Sequence, residues 1–494
     1  MFNRLRRWTE NGLWILLVLL LPITSLPLLS KVAGGTMVAP AAIIPLVLLA
    51  VVFLAPFLLR GGRLPRHVLP VFGLFLAAIL SSALSFFIDI PLFREVNRLS
   101  NSLSALVTLA IGIGFYLLAS TWTDSPEKLT RLYFWVNLSG LIVILWSLVQ
   151  AAMWYSRGVY PGWMASVQRL VSSSGNLYDG RVTGLAFEPS WLGHQLVMLY
   201  LPYWLAATVR RTSAVARRLF GLTFENALLA AGIVVLFLAF SRGAIISFVL
   251  MISLLLFRLT GLIVRAIQRR IHFQQVKSRS KTISPGLLAA LVWSGVVIFF
   301  GAVLAGLVFA LTRLDPRMAD LFSLLQQRLN FTELAYKLVF GERVVFWNAG
   351  LEVFSLHPIF GVGLANAGFF FPEKLTAFGW TVVESFKIYY STALPNTLNL
   401  WVRLLSETGI LGFAIMVSWL IILWKTGRFV RRQPNSVLCT AGLAGQLALI
   451  ALLMEGMSVD TFAFPYFWLT FGWLTAAGEI ARRSQSSGQG QLAG

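Results

Sequence analysis

The sequence predicts an all-α, polytopic integral membrane protein of about 12 transmembrane helices, with one large outer loop between the ninth and tenth. Three observations predict it. The 494 residues are 57% hydrophobic and only 12% charged, with a mean hydropathy of +0.78, which is unlike a soluble domain. Apolar runs of about 17–25 residues, long enough to cross a bilayer as helices, follow one another along the chain. No strand-like alternation interrupts them, so helices are left as the spanning structure.

Charge sets the orientation. The net charge of +21 would suggest nucleic acid until it is sorted by position. With both termini cytoplasmic, inner loops hold 25 of the 40 basic residues against five acids, and the outer side is nearly balanced. This is the positive-inside pattern; anionic inner-leaflet lipid is the implied partner and nucleic acid is not needed. The single cysteine, Cys439, sits in an apolar stretch, so there is neither a disulfide framework nor a cysteine metal site.

The first helix is expected over Asn11 to Leu29. It follows a basic RLRR but lacks an A-x-A-like cleavage site, and Pro22 and Pro27 break it. Further spans are expected over Met37 to Leu59, Val68 to Ile88, Ser104 to Thr121 and Leu132 to Ala152. Arg94 and Arg98, in the outer loop after the third span, are four apart and share a helix face.

An outer segment from Met153 leads into GRVTGLAFEPSWLGHQ. Pro189 suits a first helical position, so a helix starts at Glu188–Pro189. Glu188 then lies at the outer membrane edge, near a helix N-terminus whose dipole favours the ionised carboxylate. An N-terminal cap and a functional carboxylate are both open for it. His194, six residues on, is off that face and is expected to be buried and satisfied.

Asn226 to Leu259 is too long for one span and is interrupted only by Ser241-Arg242-Gly243. Two short spans meeting at that tripeptide fit the charge topology; one tilted helix would bury Arg242 at about 2.5–3.5 kcal/mol. A basic inner loop leads to span nine, Gly286 to Leu311, and then to the outer segment, residues 312–398. Short interfacial helices are expected there around Asp315–Leu329 and Val344–Ser355. Spans ten to twelve are read at Gly409–Trp424, Val437–Met454 and Thr461–Ile480. Residues 1–480 thus form one transmembrane domain, and 481–494, rich in Gly, Ser and Gln, a disordered cytoplasmic tail.

Several motifs fail. GVGLAN at Gly361 to Asn366 lacks the third glycine and the βαβ context of a dinucleotide site. Four scattered histidines give no metal-ligand spacing, and no P-loop is present, so neither a metal nor another cofactor is expected.

The positive signal is an ordered set: Arg181, Glu188-Pro-Ser, Ser241-Arg242-Gly243, Arg343-x-x-x-Trp347, Pro358-x-x-Gly361-x-Gly363, then Asn399 and Glu407-Thr-Gly409-x-x-Gly412. It resembles the O-antigen ligase and O-antigen polymerase family of bacterial membrane glycosyltransferases. The resemblance covers roughly Arg181 to Trp424. It implies transfer of a glycan from an undecaprenyl-pyrophosphate carrier to a glycan or lipid acceptor on the outer face of the bacterial plasma membrane. A chain-length regulator or flippase is an implied partner. Arg242 falls on the family's Ser-Arg-Gly arginine and Arg343 on the arginine opening the outer loop, both as pyrophosphate ligands. The ligases' His-Asn pair is Leu398 and Asn399 here, so their histidine is missing. The Glu188-Pro-Ser element is closer to repeat-unit polymerases.

The expected site therefore has Glu188, Arg242 and Arg343 as catalytic residues, with Arg181, Asn399, Trp347, Arg403 and Glu407 binding substrate. A glycosyl pyrophosphate is already activated, and guanidinium groups match the charge its leaving group gains. Attack opposite that group would invert the anomeric centre. The alternatives are a ligase adding a finished glycan to a lipid or protein acceptor, and a transporter for an anion or lipid-linked sugar.

Overall fold

The computed structural model describes residues 2–32, 38–216, 218, 220–277, scattered positions between 286 and 309, 341–376 and 379–492. Within these residues the chain is built from helices, and β-pairing is confined to isolated bridges such as Ser25 to Ser172. Two compact units emerge. The first comprises Met1–Phe248, Phe346–Leu375 and Ile388–Gly494; the second comprises Val249–Val345 and Thr376–Lys387.

Helix α1 (Phe2–Leu20) starts and ends earlier than the expected Asn11 to Leu29, stopping just before Pro22. The chain then passes through the Ser25 bridges to α2 (Ile43–Leu59) and α3 (Arg66–Phe87). Next come α4 (Arg98–Trp122), capped by Asn97, and α5 (Pro126–Arg157), capped by Ser125 and closed by Gly158 in the left-handed region. A short helix, α6 (Gly162–Val171), follows. The following helices are α7 (Pro189–Gln195), α8 (Leu201–Arg210) and α9 (Phe224–Leu238). The long α10 (Arg242–Lys277) and then α11 (Gly341–Leu356) complete the middle of the chain. The last three are α12 (Leu400–Val430), α13 (Ser436–Glu455) and α14 (Pro465–Leu492).

Among the described residues six helices are long and apolar enough to cross a membrane: α3, α4, α5, the Arg242–Ala266 part of α10, α12 and α13. The apolar helices α2 and α9 are shorter. Span nine falls on scattered positions, and the helix expected over Asp315–Leu329 lies outside the described residues. The final helix continues through Leu492, into the stretch expected to be a free tail.

Aromatic side chains fill the first unit's core. Trp419 of α12 stacks on Trp468 of α14 at 5.6 Å and meets Tyr116 of α4 edge-on at 5.5 Å. In the first turn of α9 Glu225 is fully buried, and each partner is a donor. Asn137 Nδ2 (2.8 Å), Tyr203 Oη (3.2 Å) and the Ala214 amide (2.8 Å) reach Oε1, while Ser213 Oγ (2.6 Å) reaches Oε2. A carboxylate this deep is tolerable only because its lone pairs are met.

The loop before α12 interlocks with a kink inside it. Gly409 has φ +65, which breaks the helical ladder locally. The freed groups pair with Pro358-x-x-Gly361-x-Gly363: Ile410 N donates to Pro358 O (2.8 Å), Val362 N to Ser406 O (3.0 Å) and Gly363 N to Glu407 O (3.0 Å). Ser81 of α3 adds its hydroxyl, 2.5 Å from both the Phe360 and Glu407 carbonyls. In a bilayer an irregular backbone of this kind must satisfy itself within the protein, and here it does.

Candidate active site

The site is built where the Gly180–Glu188 loop meets the break between α9 and α10. Gln150 of α5 fixes that loop: its carbonyl oxygen accepts the amides of Thr183 (3.0 Å) and Gly184 (2.9 Å). Phe187 N donates to Thr24 Oγ1 at 2.9 Å, and Val182 N to Leu238 O at 3.1 Å. The loop therefore reaches Glu188 with its backbone held on three sides.

Glu188 occupies the N-cap position of α7 in an extended conformation, with Pro189 as the first helical residue. Its side chain makes no capping bond to the helix backbone. Instead the carboxylate accepts the hydroxyl of Ser190. Tyr178 lies beside it: burial first, and then the Glu188 charge, push the Tyr178 phenol above its ordinary value.

Arg242 opens α10 and is exposed. The two-helix arrangement expected from the charge pattern is what forms, since α9 ends at Leu238 and α10 starts at Arg242. Arg181 holds the break. Its Nε donates to Ala239 O (3.2 Å) and its Nη2 to Phe240 O (3.3 Å), the latter on a residue with φ +46. On the other side Gly193 of α7 packs against the turn, and a Cβ there would stand 2.6 Å from Ser241 Cβ and 2.9 Å from Ala244 Cβ. Glu188 is five residues before Gly193, about 7.5 Å along the helix. The helix that Glu188 starts and the helix that Arg242 starts are thus packed at the same end of the bundle.

A third element closes this end. Glu455, the last residue of α13, is 1% exposed and pairs with Nδ1 of His194, itself 4% exposed. The other Glu455 oxygen accepts Ser247 Oγ at 2.7 Å. The turn that follows reaches α12: Leu400 N donates to Gly456 O (2.7 Å) and Val459 O (3.0 Å), and Leu398 N to Asp460 Oδ2 (3.1 Å). Phe187 lies tilted against Trp191 at 5.0 Å, and Trp191 meets Phe464 edge-on at 4.8 Å. Among the described residues no three His, Cys, Asp or Glu groups gather as a metal site.

The remaining candidates are placed as follows. Asn399 is the N-cap of α12, its side-chain oxygen accepting the amides of Trp401 (2.9 Å) and Val402 (3.2 Å). Arg403 and the buried Glu407 pair with each other at 2.9 Å; Arg403 also donates to Asp460 O and lies 5.3 Å over the Phe462 ring. Trp347 is half-buried on α11 in the first unit. Arg343, half-buried in the first turn of the same helix, belongs to the second. The first unit therefore brings together Arg181, Glu188 and Arg242 at one helix junction, and Asn399, Arg403 and Glu407 along the start of α12.

The O-antigen ligase family model matches residues 227–417. The chain carries an O-antigen ligase family domain. A search among curated proteins found no match. The matched O-antigen ligase stretch includes Arg242, Arg343, Trp347, Asn399, Arg403 and Glu407, while Arg181 and Glu188 precede it. The protein is accordingly a multi-pass membrane enzyme of glycan assembly, acting on a lipid-linked glycan and an acceptor.

Sequence reasoning missed Glu455 and the use of His194 as its partner. The two are 261 residues apart, and no periodicity connects them. The Asn399 cap, by contrast, had a signal: an asparagine immediately before an apolar helical run.

Proposed function

We propose that this protein is an inverting glycosyltransferase that polymerises undecaprenyl-pyrophosphate-linked repeat units on the outer face of the bacterial plasma membrane. The observation that carries the proposal is the packing of the Glu188 helix directly onto the Ser241-Arg242 break. In the proposed reaction Arg242 binds the lipid pyrophosphate and neutralises the charge it gains as leaving group, and the resemblance implies a pyrophosphate-binding role for Arg343 as well. Arg181, bound to the carbonyls just before Ser241, holds Arg242's turn in place. Glu188 takes the proton of the acceptor hydroxyl as the new glycosidic bond forms, and the carrier leaves as free pyrophosphate lipid. The Glu188 carboxylate makes no capping bond to the backbone amides of its helix and is held by the Ser190 hydroxyl, which supports this role. Both termini are cytoplasmic in this scheme.

A purified preparation given only undecaprenyl-pyrophosphate-linked repeat units tests the proposal. Polymerisation yields a ladder of lengthened, carrier-linked products. A single block added only when a separate lipid or protein acceptor is supplied would make the enzyme a ligase. Uptake of labelled substrate into liposomes without any new bond would make it a transporter.

A further inference from the structure

We propose that His194 and Glu455 are a positioning pair that fixes the first turn of α10 and so the direction of Arg242. This rests on the reading of Arg242 as a pyrophosphate ligand. The pair is almost fully buried at the helix junction. Replacing a buried ion pair by apolar groups is often neutral or stabilising, so global stability is a weak reason for one here.

The Glu455 carboxylate instead reaches the Arg242 turn. Ser247 Oγ, one turn into α10, lies 2.7 Å from Glu455 Oε1 and 2.9 Å from the carbonyl of Gly243, the residue after Arg242. A Cβ on Gly243 would stand 3.6 and 3.8 Å from the two Glu455 oxygens and 3.3 Å from Ser458 Oγ, so the carboxylate lies against the backbone of that turn. A carboxylate is the suitable group there, because the first turn of a helix presents unpaired amides and a positive dipole end. His194 holds the carboxylate from the opposite side and belongs to the helix that Glu188 begins. The triangle Glu455, His194 and Ser247 thus couples the proposed base-bearing helix to the arginine-bearing one. These residues position Arg242; they are not assigned contact with substrate.

A double-mutant cycle tests the pair, with rates normalised to folded, monodisperse protein. Glu455→Leu and His194→Leu are each expected to lower kcat/KM for the undecaprenyl-pyrophosphate-linked donor at least 10-fold, leave the acceptor KM unchanged, and have no further effect in an Arg242→Ala background. Glu455→Gln, which keeps an acceptor for Ser247, should recover part of the loss. Equal fold-losses in both backgrounds, or undiminished turnover by folded Glu455→Leu, would overturn the proposal. A second readout is independent of turnover: an Arg242→Cys probe in a Cys439→Ser background, labelled by a membrane-impermeant thiol reagent. Glu455→Leu should change its labelling rate at least 5-fold, and an unchanged rate would overturn the pair. Full turnover by Arg242→Ala with an altered labelling rate would instead remove the pyrophosphate role and leave the positioning intact.

Discussion

Gly361 and Gly409 are packed backbone to backbone. A Cβ on Gly361 would stand 2.5 Å from the Glu407 carbonyl carbon and 2.7 Å from Gly409 N, and one on Gly409 would overlap the Ile359 carbonyl. Both residues also hold positive φ, +69 and +65. A side chain in that region costs about 1–2 kcal/mol before any overlap. Gly361→Ala and Gly409→Ala are therefore expected to lose more than about 2 kcal/mol each, seen as a fall in thermal midpoint or in monodisperse protein after detergent extraction. Gly12→Ala is the control: it lies within α1 with open space around it, and should be neutral or stabilising by up to about 1 kcal/mol.

Glu188→Gln keeps the shape of the side chain and its bond from Ser190 but removes the proton acceptor. The expected result is a fall in kcat of about 10²–10⁴-fold with normal folding, because that is the usual worth of a positioned general base. Wild-type turnover by this variant would show that the base lies elsewhere.

Gln150→Ala should act on the same step from a distance. It strips the amides of Thr183 and Gly184 of their acceptor inside a buried loop, and each orphaned group costs about 1–3 kcal/mol. We expect lower stability and lower turnover together, since the loop that delivers Glu188 is loosened. A matched stability loss with unchanged turnover per folded molecule would separate loop anchoring from catalysis.

Glu225→Ala provides the contrast. Its four donors gather at the start of α9, the opposite end of that helix from the break before Arg242. Stability should drop by about 1–3 kcal/mol or more while turnover per folded molecule is retained. A selective loss of turnover would mean that the two ends of the bundle communicate.

Much of this architecture was legible in the sequence because hydrocarbon and charge segregate so sharply. Pro189 marked the start of α7, and the lone Arg242 in an apolar run marked the break between α9 and α10. The glycine motifs were visible too, but not their purpose. Nothing in Pro358-x-x-Gly361-x-Gly363 says that it threads into the kink at Gly409, which is a fit between two backbones. The pairing of Arg403 with Glu407 follows from their spacing of four. The bond from His194 to Glu455 was invisible, since it depends on how α7 and α13 come together rather than on either segment.

The measurement closest to the central claim is turnover of undecaprenyl-pyrophosphate-linked repeat units by purified Arg242→Ala and Arg343→Ala proteins whose folding matches wild type. On this account each is expected to lose turnover about 10²–10³-fold, with a measurable residue, and Arg→Lys at either position to restore only a fraction, since an ammonium lacks the bidentate fork for a phosphate. Product ladders of normal length and rate from both alanine variants would contradict it.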